Sequence, residues 1–539
     1  MKKTILLASL VASITTLAAT EGHVNYKFKG EINSTYDQAK KASTNEFKVP
    51  ETFVETEVKV KGSGLSFGGE FKAKDIELGK DAKTNADKVV KKANFLNHSN
   101  VFAKYELPEI KGVKSFVKAT VKPEFVDGET DNYKFGGSAE FEGNASYKYD
   151  ALTFGLNSKT KFPFAKEANE NYGEKVKSTH KVFVESEKDK DVFVKGLKDV
   201  KANVEIKHDY RELKKDQKAA KAVDYVKGEV SAKYDAIKDF AVEGKAGFKV
   251  NVSEFVNPNP SNNNFIQRDS GDNKHDVVLG GVKINDYLED FNKSGWIREV
   301  TGLHREYANA KLTYTGVKGL TLSANPFVDF TEGYREYGQD NKKVAGGYLL
   351  AYGTSLDAKY VLLNNKLTLT GNSLLAGIKS VNTKGANAGD YTIGVYTAKL
   401  GAKYDYAVDS KLTVSPELTV SSAILTNSNK TVADTLNGFV TLKPEVNAVY
   451  KATDKLELKG GVSLSANFKN IKKENDKVVS TKSLKLEPSA SLVYKPVEGL
   501  EVSNKVELPV KFGEKDADKS LEYKGLDVKT ELNIKYSWK

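Results

Sequence analysis

The chain has 539 residues, 39% apolar and 29% charged, with a mean hydropathy of -0.48 and a formal charge of +11. After the first twenty residues nothing approaches the ~18–20 uninterrupted apolar residues of a spanning helix, which excludes a helical membrane protein. The absence of cysteine excludes disulfides, thiolate metal sites and thiol catalysis, while 26 Tyr, 26 Phe and 42 Gly against 12 Pro argue for a folded, mostly β chain.

Met1-Lys2-Lys3 is a short basic region, Thr4 to Leu17 is apolar, and Thr16 to Thr20 supplies small residues for cleavage, so residues 1–19 read as a secretory signal peptide. A cut after Ala19 removes Lys2 and Lys3 and leaves 81 basic against 72 acidic residues, or +9. Export and the even spread of Lys and Glu speak against a nucleic-acid partner. The first alternating run, Val24, Tyr26, Phe28, Gly30 and Ile32, follows at once and leaves no room for an N-terminal plug.

Alternation then continues to the end of the chain. Tyr133, Phe135, Gly137, Ala139, Phe141, Gly143, Ala145, Tyr147 and Tyr149 share one parity against Lys134, Ser138, Glu140, Glu142, Asn144, Ser146 and Lys148. Successive strand side chains point to opposite faces, so one face is apolar and the other wet, over a length unusual for a globular strand. Lys207 to Lys221 is dense in good helix formers and reads as a short surface helix. Residues 253–304 interrupt the pattern. Val256-Asn257-Pro258-Asn259-Pro260-Ser261 breaks it, Val277 to Ile284 is a candidate for a hidden strand pair, and Asp286-Tyr287-Leu288-Glu289 has the form of a capping box opening a short helix. The last run sets Leu526, Val528, Thr530, Leu532, Ile534, Tyr536 and Trp538 against a charged and polar face.

A repeat overlies the alternation. A Tyr closes one run, a short polar connection follows, and an aliphatic residue opens the next: Tyr105 before Ile110, Tyr149 before Leu152, Tyr234 before Ile237, Tyr314 before Val317, Tyr360 before Leu367, Tyr404 before Leu412, Tyr450 before Leu456 and Tyr494 before Leu500, with Tyr536 at the end. Phe193 before Leu197 reads as a variant. The members lie about 40–46 residues apart wherever none is missing, a strand-connection-strand period. Between them sit long polar segments such as Asp75 to Ala93, Glu167 to Thr179 and Lys469 to Lys482.

On these features, a leader, long alternating strands, short turns at one end with an aromatic beside each, long loops at the other, and an aromatic terminal strand, the chain resembles Gram-negative outer-membrane β-barrels and among them the general porins. It departs from that class in placing Lys539 after Trp538. The resemblance implies residues 20–539 as one antiparallel up-and-down barrel of about 22 strands, in a range of about 16 to 24, with short periplasmic turns. It also implies a passive diffusion channel for ions and small hydrophilic solutes, to which the net charge of +9 adds a weak anion selectivity at most. The second function class is an adhesin or structural barrel displaying its long loops to a host surface ligand. The implied partners are outer-membrane lipid and lipopolysaccharide, met by the Tyr series as an aromatic girdle, and the assembly machinery, met by Tyr536 and Trp538. A homotrimer is common in the class, and no residue decides it.

Fixed guanidinium charge in a water-filled channel sets a local potential, and the arginines are confined to Arg211, Arg268, Arg298, Arg305 and Arg335. The insertion is therefore the candidate constriction, with Arg268, Arg298 and Arg305 opposed by Asp286, Glu289 or Asp290. An exposed loop with surface ion pairs is the alternative. No catalytic, metal or cofactor site is expected. The six histidines show no metal-ligand spacing, and His98 and Ser99, being adjacent, point to opposite strand faces.

Overall fold

The structure, a computed structural model, describes residues 20–37, 42–80, 87–88, 99–127, 133–164, 172–213, 222–251, 278–283, 304–332, 336–337, 343–344, 348–382, 389–428, 437–474, 477–515 and 520–538. The leader reading of residues 1–19 and the Asp286 helix lie outside them. Every element described is a strand, a turn or a connection between strands.

One antiparallel sheet runs around the molecule and closes on itself. The first strand, Thr20–Asp37, pairs on one side with Ala42–Val60 and on the other with the last, Leu521–Trp538, from Gly22 opposite Trp538 to Thr35 opposite Gly525. The result is a closed 22-strand barrel. Closure satisfies every edge, as hydrocarbon requires, because no water is present there to take up a free N–H or C=O. Strands reach 19 residues, as in Ala42–Val60 and Leu456–Glu474, against the ~9–11 that a tilted strand needs to cross a bilayer.

The predicted Val277–Ile284 strand pair is real but is not part of the wall. Val278–Leu279 and Val282–Lys283 form a separate two-stranded hairpin. Lys207 to Leu213, expected as helix, belongs to the strand Leu197–Leu213; pairing with both neighbours outweighs a helix propensity of a few tenths of a kcal/mol per residue.

Registers explain the Tyr repeat. Each Tyr closing a strand lies directly across from the apolar residue opening a neighbour: Tyr105 and Leu65, Tyr149 and Leu152, Tyr234 and Leu197, Tyr314 and Phe240, Tyr360 and Leu320, Tyr404 and Leu367, Tyr450 and Leu412, Tyr494 and Leu456, Tyr536 and Leu500. Opposed residues share a face, so a ring of Tyr–apolar pairs circles the outside at the short-turn end. Phe193 is not part of it, since it sits 81% exposed at the tip of the turn between Tyr172–Ser186 and Leu197–Leu213. Above the ring the outward face is apolar, with Phe141, Leu156, Val182, Leu400 and Leu418 all exposed. A continuous apolar belt of this extent aggregates in water and is stable in a bilayer. The barrel is an outer-membrane protein of the Gram-negative type.

Short turns at the ring use backbone that few residues tolerate. Lys111 and Gly112 both have positive φ, 51° and 81°, as a two-residue hairpin turn demands. Three longer turns are built alike, with Phe240, Leu320 and Leu500 N donating to the carbonyls of Ile237, Val317 and Val497 at 3.1, 2.9 and 3.2 Å. In the turn after Tyr404, the Asp409 carboxylate accepts from Lys411 N at 2.7 Å and Leu412 N at 2.8 Å, and these bonds hold its pKa below the ordinary value. A depressed folded-state pKa gives stability that is present above the unfolded pKa and lost as pH falls through the folded one. Asp409→Asn is therefore expected to flatten the loss of thermal stability on the acid side, measured by melting the barrel between neutral pH and about pH 3. Identical pH profiles for the two proteins would count against this turn as a titrating contact.

Candidate functional site

The inner face is wet and charged around most of the circumference. Lys27 meets Glu531 at 2.9 Å, Lys227 meets Glu205 at 3.0 Å, Lys245 meets Glu229 at 2.9 Å and Lys443 meets Glu445 at 2.8 Å. Each such pair in water contributes about 0–1 kcal/mol, so they hydrate the lumen more than they hold it together.

One sector differs. In the strands Tyr348–Leu362, Leu367–Asn382, Gly389–Tyr404 and Leu412–Asn427, the outward residues Tyr352, Leu375, Tyr396 and Ile424 are exposed. The inward residues of the same stretch, Leu349, Ala351, Leu374, Ile378, Ile393, Val395 and Leu425, are apolar as well and fully buried. Among the described residues the hairpin Val278–Lys283 joins this cluster from inside, with Leu279 and Val282, 1% and 4% exposed, packed into it together with Phe327. Full burial of two aliphatic side chains stabilises the contact by about 1.5–3 kcal/mol each.

Polar groups pin the turn of that hairpin. Gly280 N donates to Asp329 Oδ2 at 2.7 Å, Asn309 Nδ2 donates to Gly280 O at 2.7 Å, and Arg305 Nη2 donates to Val278 O at 3.0 Å. Arg305 grips Asp329 with both Nε, 2.9 Å from Oδ1, and Nη2. The acceptor is 1% exposed and the guanidinium residue 8%, so this is a buried, bidentate, charge-assisted pair. Glycine is required at the tip. Both residues have positive φ, 55° and 77°, and a Cβ on Gly280 would lie 2.6 Å from the Phe327 ring while one on Gly281 would lie 2.3 Å from Asn309 Nδ2.

Of the six residues expected at a constriction, Arg305 alone is described. It faces the lumen and is neutralised by Asp329, not by Asp286, Glu289 or Asp290, which with Arg268 and Arg298 lie outside the described residues. Asp329, Asn309 and the Gly280-Gly281 tip were not singled out by sequence. Among the described residues no group of three or more His, Asp or Glu converges on a metal position. Ser158 Oγ lies 2.9 Å from His180 Nδ1 on the outward face, and no described carboxylate bonds the imidazole to orient it.

No protein-family model matches the chain. A comparison with curated proteins likewise gives no match. Among solved structures, a variant of the ferric enterobactin receptor PfeA from Pseudomonas aeruginosa matches with a TM-score of 0.49 and 9% identity, over 97% of this chain and 80% of that one. The siderophore receptor PirA from Pseudomonas aeruginosa matches at 0.47 and 9%, over 96% and 80%. FpvAI in its complex with pyocin S2 matches at 0.47 and 10%, over 96% and 70%. At such identity the likeness concerns the fold. The expectation of a passive, weakly anion-selective porin is corrected: the one described arginine of the expected eyelet is buried against Asp329 instead of standing open in the channel, and a pinned hairpin is seated on the inner wall.

Proposed function

We propose that the barrel is a ligand-specific outer-membrane transporter, in which passage follows the binding of a particular ligand, and that it is not an enzyme. The observation that carries this is the seating of Leu279 and Val282 on an apolar patch of the inner wall. An open diffusion pore works with a hydrated wall, whereas an apolar inner surface occupied by a pinned hairpin is a contact that binding can rearrange. The 253–304 insertion, to which the hairpin belongs, narrows the lumen in this reading. The Tyr ring serves as the girdle at the periplasmic interface, the apolar belt contacts lipid and lipopolysaccharide, and Tyr536 and Trp538 on the terminal strand are what the assembly machinery engages.

Proteoliposomes carrying the full chain are expected to swell slowly or not at all in iso-osmotic solutions of neutral sugars. Rapid swelling graded by sugar size is the behaviour of an open sieve, and it would overturn the reading.

A further inference from the structure

Like charges set directly opposite each other across paired strands repel, and the inner wall mostly avoids this. Where carboxylates do face one another, a lysine attends: Lys72 meets Glu70, opposite Glu55, at 3.4 Å, and Lys443 meets Glu445, opposite Glu417, at 2.8 Å. Between the strands Leu152–Phe164 and His304–Tyr314 basic residues face one another as well, although Lys161 also lies opposite Glu140, which accepts from Lys122 and Lys159, and Lys181 opposite Glu205. Lys161 faces Lys177, Lys227 faces Lys249, and Lys249 faces Arg305. All are on the inward parity, since Leu156, Val182, Ile206 and Val230 of the alternate parity are exposed to the outside.

Carboxylates at this level are already engaged. Glu205 accepts from Lys227 and from Tyr225 Oη at 3.2 Å, Glu229 from Lys245 and from Tyr307 Oη at 2.5 Å, and Asp329 from Arg305. Among the described residues no carboxylate lies within ion-pair distance of Lys161, Lys181 or Lys207. Aromatic faces attend two of them: Lys207 Nζ stands 5.6 Å from the Tyr225 ring centroid and Lys181 Nζ 5.8 Å from that of Phe183. A ring quadrupole stabilises an ammonium without neutralising it, so the arc keeps its positive potential facing the lumen.

We propose that this arc is a binding site for a multivalent anion, a ligand carrying two or more phosphate or carboxylate groups, which spans Lys161, Lys181 and Lys207. The proposal rests on the reading of the barrel as a ligand-specific transporter and gives that ligand a chemical class. It also ties binding to the hairpin. Arg305 ends the arc and at the same time holds Asp329 and Val278 O, so an anion that draws on its guanidinium weakens the attachment of the hairpin.

The test is calorimetric titration of the full-length protein in detergent with tripolyphosphate and with citrate at low salt. The variant is Lys161→Gln/Lys181→Gln/Lys207→Gln, and the control is Lys443→Gln/Lys485→Gln/Lys505→Gln on the far wall, all folded by the criterion of heat-modifiable migration. Saturable binding near one site per barrel is expected, weakened about a hundredfold or more in the arc variant, at roughly tenfold per charged contact, and within about threefold in the control. The better of the two probes assigns phosphate or carboxylate. Absence of saturable binding, or equal weakening in both variants, overturns the site. A barrel that binds tripolyphosphate yet swells freely in sugars keeps the site and loses the transport reading; one that stays closed and binds neither probe loses the site alone.

Discussion

Asp329→Ala is expected to release the Val278–Lys283 hairpin, raising the conductance of the barrel in planar bilayers from brief or absent events to large, noisy openings, and to lower its stability by about 3–5 kcal/mol. The size of the effect follows from what the truncation leaves behind. Arg305 is 8% exposed and Asp329 accepts from its Nε, its Nη2 and Gly280 N, so removing the carboxylate strands a buried guanidinium and a backbone donor together. Replacing the whole pair, Arg305→Met with Asp329→Leu, removes the uncompensated charge and returns most of the stability, but it does not restore the hydrogen bonds to Gly280 N and Val278 O. The double variant should therefore melt near the wild type and still open. Urea unfolding in lipid and single-channel recording separate these outcomes. Wild-type conductance from a folded Asp329→Ala barrel would show that the hairpin does not obstruct passage.

The same residues show how far a sequence of this kind can be read. Alternation in Tyr133–Tyr149 and Leu521–Trp538 was legible because lipid takes one parity and water the other, and the Tyr that closes each run marked the short-turn end, so strand number and barrel closure followed. The inner apolar sector was not read, although it left a trace. Tyr348-Leu349-Leu350-Ala351-Tyr352 and the stretch from Leu374 to Ile378 lose the period of two because both their faces are apolar, and a run buried on both sides shows no alternation. Such breaks, in a chain that otherwise alternates, are the signal that something covers the wall from inside. The pins could not be read in this way. Asp329 is 24 residues from Arg305 and 49 from Gly280 in sequence, and no local pattern links an inward carboxylate to a turn brought beside it only by the curvature of the sheet. Lys207 to Leu213 misled for a related reason, since helix propensity is local whereas the two neighbours that hold this segment as a strand are not.

Ile534→Pro is expected to abolish the closed barrel. Ile534 lies inside the seam, at the fifth of its fourteen pairs from the Trp538 end, opposite Tyr26 on one side and Val502 on the other, where a proline removes a ladder donor and crowds the adjoining backbone. In a soluble sheet the exposed groups would turn to water. In hydrocarbon each unpaired group costs several kcal/mol, and a seam that parts within its length exposes a row of them on both edges, so closure is close to all-or-none. The unheated variant should then migrate in detergent gels with the heated, unfolded species. Trp538→Ala makes the complementary case. Trp538 covers Gly22 and stacks on Tyr536 with ring centroids 5.9 Å apart, yet its loss leaves the ladder from Thr35–Gly525 to Val24–Tyr536 intact; that barrel should close, with a lower melting temperature and slower assembly. A compact, heat-modifiable Ile534→Pro protein together with an open Trp538→Ala protein would reverse the assignment, making the aromatic contact and not the backbone ladder the element that holds the seam.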